Sequence, residues 1–123
     1  MKKTRRTSKV GELVRDALVD VFRHDLKTDL GFTSITDVEV SPDLHFARVY
    51  ISGLKEDETR EIVERLQDLR GRVRKFLGGR IRLSYTPELD FRYDETTMRA
   101  SRIEAILTEV KRKDEENKPT DEE

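Results

Sequence analysis

The sequence predicts a single α+β domain in the order helix, strand, strand, helix–break–helix, strand, helix. Two observations carry that reading. Apolar residues recur at helical spacing in three separated stretches. Between them lie short alternating runs, the first two joined by Ser41-Pro42-Asp43, where Pro presets φ and Asp bonds its own backbone. Helices must cover one face of a three-stranded sheet. The first two strands are antiparallel, and the third returns after a helical crossover, so the sheet is expected to be mixed. At 123 residues the chain suits one domain that buries a core without disulfides or metal.

Each element follows from its pattern. Residues 1–7 are basic and polar and are expected to form a flexible arm. The domain is placed at 8–113, including a C-terminal helix, and 114–123 reads as a disordered acidic tail. Val10, Leu13, Val14, Ala17, Leu18, Val21 and Phe22 form the first helical stripe, with Ser8 as its N-cap and Gly31 marking the stop. Thr36, Val38 and Val40 alternate with Asp37 and Glu39 in the first strand. In the second, Ala47, Val49 and Ile51 face the core while Phe46, Arg48 and Tyr50 face away. Ile62, Leu66, Leu69, Val73, Phe76 and Leu77 continue one helical phase across Gly71, where a kink is expected because an interior Gly costs about 1 kcal/mol. Ile81, Leu83 and Tyr85, then Leu89, Phe91 and Tyr93, predict a third strand interrupted by Pro87, hence an edge or a bulge. Ile103, Ile106, Leu107 and Val110 predict the last helix, capped by Thr96 or Thr97.

Composition excludes most chemistry. There is no cysteine, which removes disulfides and thiolates and fits a reducing, cytoplasmic setting. No run approaches the roughly 18 apolar residues of a membrane span, and no apolar segment follows the basic start as in a secretory signal. His24 and His45 stand apart and read as solvated. Glu88 and Asp90 share a strand face, which suits solvation better than acid–base work. No phosphate-binding or nucleophile motif occurs. The reading is a non-enzyme with no cofactor, no metal and no small-molecule substrate.

Charge is unevenly placed. The net charge is −1, but residues 114–123 hold six acids against Lys118 alone, so the preceding chain is net basic. Arg70, Arg72, Arg74, Lys75, Arg80 and Arg82 cluster in a stretch with no acid between Leu69 and Pro87. Arg suits phosphate pairing and base stacking, so this cluster is the first candidate RNA-binding site. A helix starting near Gly71 would add amide donors. The N-terminal arm, Lys2, Lys3, Arg5, Arg6 and Lys9, is the second candidate. Phe46 and Tyr50, flanking Arg48, suit either base stacking or packing beneath the last helix.

Arg5-Arg6-Thr7-Ser8-Lys9-Val10-Gly11-Glu12-Leu13 opens the ordered chain. Thr36-Asp37-Val38-Glu39-Val40-Ser41-Pro42-Asp43-Leu44 and Ala47-Arg48-Val49-Tyr50-Ile51-Ser52 follow. Gly71-Arg72-Val73-Arg74 and Arg80-Ile81-Arg82-Leu83 then run into Pro87-Glu88-Leu89-Asp90-Phe91 and Asp94. In this order and spacing, over residues 4–107, they resemble the bacterial ribosome-binding factor A family. The resemblance implies a type II KH-like domain in which a helix–kink–helix at Leu69 and Gly71 replaces the GxxG loop. It implies a non-catalytic monomer that binds the free small ribosomal subunit and its rRNA. The family's role is late maturation, including 5′-end processing of that RNA, and growth in the cold. Two positions depart from the family: Leu69-Arg70-Gly71 stands where Ala-x-Gly is usual, and Ala100 where Gly is expected. A general KH-like RNA-binding module and a protein–protein adaptor are the alternatives.

Overall fold

The computed structural model describes residues 4–96. The predicted last helix, the tail at 114–123, and Lys2 and Lys3 lie outside the described residues. The first helix, α1 (Arg5–Asp20), begins one turn earlier than Ser8. Its cap is Thr4: the Thr7 amide donates to Thr4 Oγ1 at 3.2 Å, and the Thr4 amide donates to Thr7 Oγ1 at 2.8 Å. Arg5 and Arg6 therefore occupy the first helical turn rather than a loose arm. Val14, Ala17 and Leu18 face the core, whereas Leu13 is 44% exposed despite its place in the stripe.

A π-helical turn, Val21–Asp25, ends the helix. The Leu26 amide reaches back to the Val21 carbonyl at 2.9 Å. Gly31 is not the helix stop; it is a loop residue at φ +56°, with its amide held by Asp29 Oδ1.

Strands β1 (Thr33–Val40) and β2 (Phe46–Gly53) form the antiparallel hairpin. Its turn is the expected one, with Asp43 Oδ1 accepting from Ser41 Oγ and the His45 amide. Register slips between Ile35 and Asp37, so Thr36 is an extra residue and the simple alternation fails. Ile35, not Thr36, joins Val38 and Val40 in the core. The bulged Thr36 turns its hydroxyl to Asp94 Oδ2 at 2.6 Å.

Helix α2 (Glu56–Asp68) and helix α3 (Arg70–Gly78) flank a single non-helical residue, Leu69 at φ −94°, ψ 7°. The break is therefore at Leu69. Gly71 sits inside the first turn of α3, where a Cβ would meet nothing within 4 Å. The final strand, β3 (Glu88–Tyr93), runs parallel to β2 and makes the sheet mixed, in the order β1-β2-β3. The predicted strand at 81–86 does not form. Ile81 is buried and Leu83 packs on the core from a loop, and pairing begins only after the buried Pro87. The Thr96 amide donates to Asp94 Oδ1 at 3.1 Å, and the helix that Thr96 or Thr97 is expected to cap lies outside the described residues.

The three helices cover one face of the sheet. Val14, Leu18, Val21, Leu66, Val73 and Leu77 pack against Val49, Ile51, Leu89 and Phe91, each side chain worth about 1.5–3 kcal/mol when fully buried. Helix α1 approaches β1 so closely at Gly11 that a Cβ there would lie 2.8 Å from the Val38 carbonyl oxygen. The outer edge of β3 is closed by a side chain. Gln67 Oε1 accepts the Phe91 amide at 2.7 Å, and Gln67 Nε2 donates to Asp90 Oδ1 at 3.0 Å. Replacing Gln67 with Leu strands a donor on a buried residue, and is expected to cost about 1–3 kcal/mol. Urea unfolding of Gln67→Leu beside the native chain measures it.

Candidate nucleic-acid interface

The six cations from Arg70 to Arg82 do not act as one patch. Helical spacing and the chain's turn after Gly78 send them in different directions. Arg72 and Lys75 project from α3, and Arg80 follows it. With Gly71, half-buried Phe76, Gly79 and Asp25 they line an open groove of about 900 Å3. Arg74, on the other side of α3, points inward. Its Nε and Nη2 both donate to the Thr86 carbonyl, at 3.0 and 2.9 Å. Arg70 turns back on the end of α2 and donates to the Gln67 carbonyl at 2.7 Å. Arg82 is exposed but does not line the groove.

The groove also holds an acid that the local sequence does not contain. Asp25, at the end of the π turn, accepts from Arg80 Nε at 2.7 Å and Nη2 at 3.0 Å. This fork-to-fork pair holds the Asp25 carboxyl below its usual range, first through the hydrogen bonds from Arg80 and then through its charge. Arg80 is held in place over the groove and partly neutralised there. Nothing in the sequence signals this partner, because 55 residues separate the two.

Arg5, Arg6 and Lys9 lie on α1 at the end opposite Asp25. At 1.5 Å per residue the helix is about 24 Å long, so the two candidate regions are separate footholds. Phe46 is exposed, whereas Tyr50 donates to Glu39 Oε1 at 3.2 Å and Arg48 Nε reaches Asp90 Oδ2 at 3.4 Å. His45 stacks on Tyr85 with ring centroids 4.0 Å apart, and the Arg74 guanidinium lies 5.2 Å from the Tyr85 ring. Among the described residues, no group of three or more His, Cys, Asp or Glu is placed to hold a metal. Asp90 bonds Gln67, Arg48 and Arg92, an edge-closing role rather than one half of an acid–base pair with Glu88.

The ribosome-binding factor A family model matches residues 6–107. The chain belongs to that family. Ribosome-binding factor A of Halothermothrix orenii is 38% identical over 118 residues, covering 94% of this chain and 97% of that protein. The crystal structure of ribosome-binding factor A from Thermus thermophilus shares the fold, with a TM-score of 0.62 at 20% identity, over 71% of this chain and 94% of that one. A homology model of the Thermus thermophilus factor, fitted into the cryo-EM map of a complex with 30S, has a TM-score of 0.58 at 21% identity. It covers 70% of this chain and 92% of that one. Leu69 is the residue that leaves helical geometry here, and Gly71 is not.

Two outcomes follow from this division of the arginines. Arg74→Gln removes a charge-assisted pair of bonds and is expected to lower stability by about 1.5–3 kcal/mol. Arg72→Gln is expected to stay within about 0.5 kcal/mol of native. Thermal and urea unfolding compare them. The Asp25 carboxyl should titrate below the ordinary Asp value of about 3.9 and return toward it in Arg80→Leu. Because the folded value is depressed, the pair's stabilisation is present above the unfolded value and is lost as pH falls through the folded one. NMR of the side-chain carboxyl carbon reads both.

Proposed function

We propose that this chain binds the free small ribosomal subunit through its rRNA and assists late maturation, including processing of the RNA's 5′ end, without catalysing a reaction. The observation that carries the reading is the convergence of Arg72, Lys75 and Arg80 on one open groove in a chain of this family. Fitting of a relative into a complex with 30S supports the choice of partner. Phosphates would displace Asp25 from Arg80 and take up its two donors. Arg5, Arg6 and Lys9, with Lys2 and Lys3, would provide a second foothold on the same RNA. Arg70 and Arg82 would add charge at the groove's margins, and Arg74 would act by fixing α3. Affinity then comes largely from phosphate pairing. Recognition comes from RNA shape and unpaired junctions. Binding one conformer of an immature junction raises its population, so the work requires no active site, cofactor or small-molecule substrate. The protein acts as a monomer in the cytoplasm.

Co-sedimentation with separated ribosomal particles tests the partner. Selective migration with free small subunits, lost as salt rises, is expected; equal association with any RNA would point to a general RNA-binding module. Within that assay Arg72→Glu with Lys75→Glu should weaken binding more than Lys111→Glu with Arg112→Glu. The slope of log affinity against log salt should become shallower by about 0.7 for each phosphate of single-stranded RNA that is no longer neutralised. Equal effects of the two pairs would mean diffuse charge rather than a site.

A further inference from the structure

The end of the sheet at which β1 begins carries an apolar cleft. Phe32 is 83% exposed and Leu54 is 76% exposed. They flank a hollow of about 320 Å3 whose floor includes Thr33, Thr59 and Ile62, with Lys55 and Glu58 on its rim. Single exposed apolar residues are ordinary. Two large ones on either side of one hollow mark a surface that something covers.

The chain itself arrives at this place. Thr33 pairs with Gly53 at the start of β1, and Tyr93 pairs with Ile51 at the end of β3, so the beginning of β1 and the ends of β2 and β3 share one end of the sheet. At strand spacings of about 4.8 Å, β3 lies about 10 Å from β1. The Asp94 amide bonds the Ile51 carbonyl at 2.8 Å, and Glu95 lies 3.7 Å from Arg60, the neighbour of Thr59. After Thr96 come 27 further residues. Among them Ile103, Ile106, Leu107 and Val110 repeat at helical spacing and need a surface to bury their stripe. Ile103 is seven positions after Thr96, a step of about 10 Å as helix and more than twice that when extended. Either reach suffices.

We propose that residues 103–110 dock their apolar stripe into the Phe32–Leu54–Ile62 cleft of the same chain. The docked stripe would cover Phe32 and Leu54.

The chain has no cysteine, so one spin label can be placed cleanly at Glu58→Cys on the cleft rim. In the full-length protein without RNA, the amide signals of Ile103 to Val110 should lose most of their intensity. They should recover it when Leu54→Asp is added, while the amides of β1 to β3 stay in place. Ile106→Asp should give the same recovery without touching the cleft. Retained intensity in the labelled native chain would overturn the proposal. So would bleaching that neither substitution relieves, which means mere tethering. Bleaching seen only when labelled and unlabelled copies are mixed would assign the cleft to a second copy and overturn it as well. None of these outcomes depends on RNA binding.

Discussion

Gln67 closes the outer edge of β3, Arg74 clamps the loop that leads into that strand, and the orientation of the basic groove depends on both. Gln67, in the last turn of α2, pairs with Asp90 and Phe91. Arg74, in α3, clamps the Thr86 carbonyl just before the strand begins. One bracket stands on each side of Leu69, so α2 is fixed to β3 and α3 to the loop just before it, at an angle that an unbroken helix could not adopt. An open sheet edge offers free amides and carbonyls. Here that liability becomes the attachment that aims Arg72 and Lys75 outward.

Arg80 is aimed by a different device. It lies beyond the end of α3, where a flexible chain would let it wander, and the bidentate pair with Asp25 fixes it. Asp25 gets there because the π turn carries the end of α1 toward α3. The attraction between two partly exposed ions is modest. Its value here is geometric, since the guanidinium waits over the groove with its rotamer already restricted. On the proposed function, a phosphate arriving in the groove would meet an ordered donor fork and replace one anion with another.

Much of this was legible in the sequence, and the failures have physical causes. Val14, Leu18, Leu66, Val73 and Leu77 were found by period because helical burial repeats with the helix. Val49 and Ile51 were found likewise by alternation. Ser8 lost its cap role to Thr4, since both are good caps and the choice rests on whether a turn of Arg5, Arg6 and Thr7 can be helical. Thr36 broke the alternation because a bulge inserts a residue that no pattern announces. Residues 81–86 alternate like a strand, yet their backbone is taken up by the loop that Arg74 clamps. The basic run was visible as a run. Its division into groove residues and a structural arginine was not, because that depends on which side of α3 meets β3. Asp25 was invisible because tertiary folding alone brings it to Arg80.

Leu69 alters what the break can do. A small residue at such a point lets two helices pivot, and a glycine would let them flex. Leu69 has neither freedom: its side chain is partly buried and packs against the core, and each methylene it buries beyond what Ala would bury is worth about 0.8 kcal/mol. Changing the angle between α2 and α3 would draw that side chain out and strain the Gln67 and Arg74 brackets. Gly71, with open space around its Cα, is free of that duty. Its bareness lets a ligand backbone come close to α3 beside Arg72 and Lys75. The break is therefore a fixed bend, and the groove beyond it is ordered before any partner arrives, which lowers the entropic cost of binding.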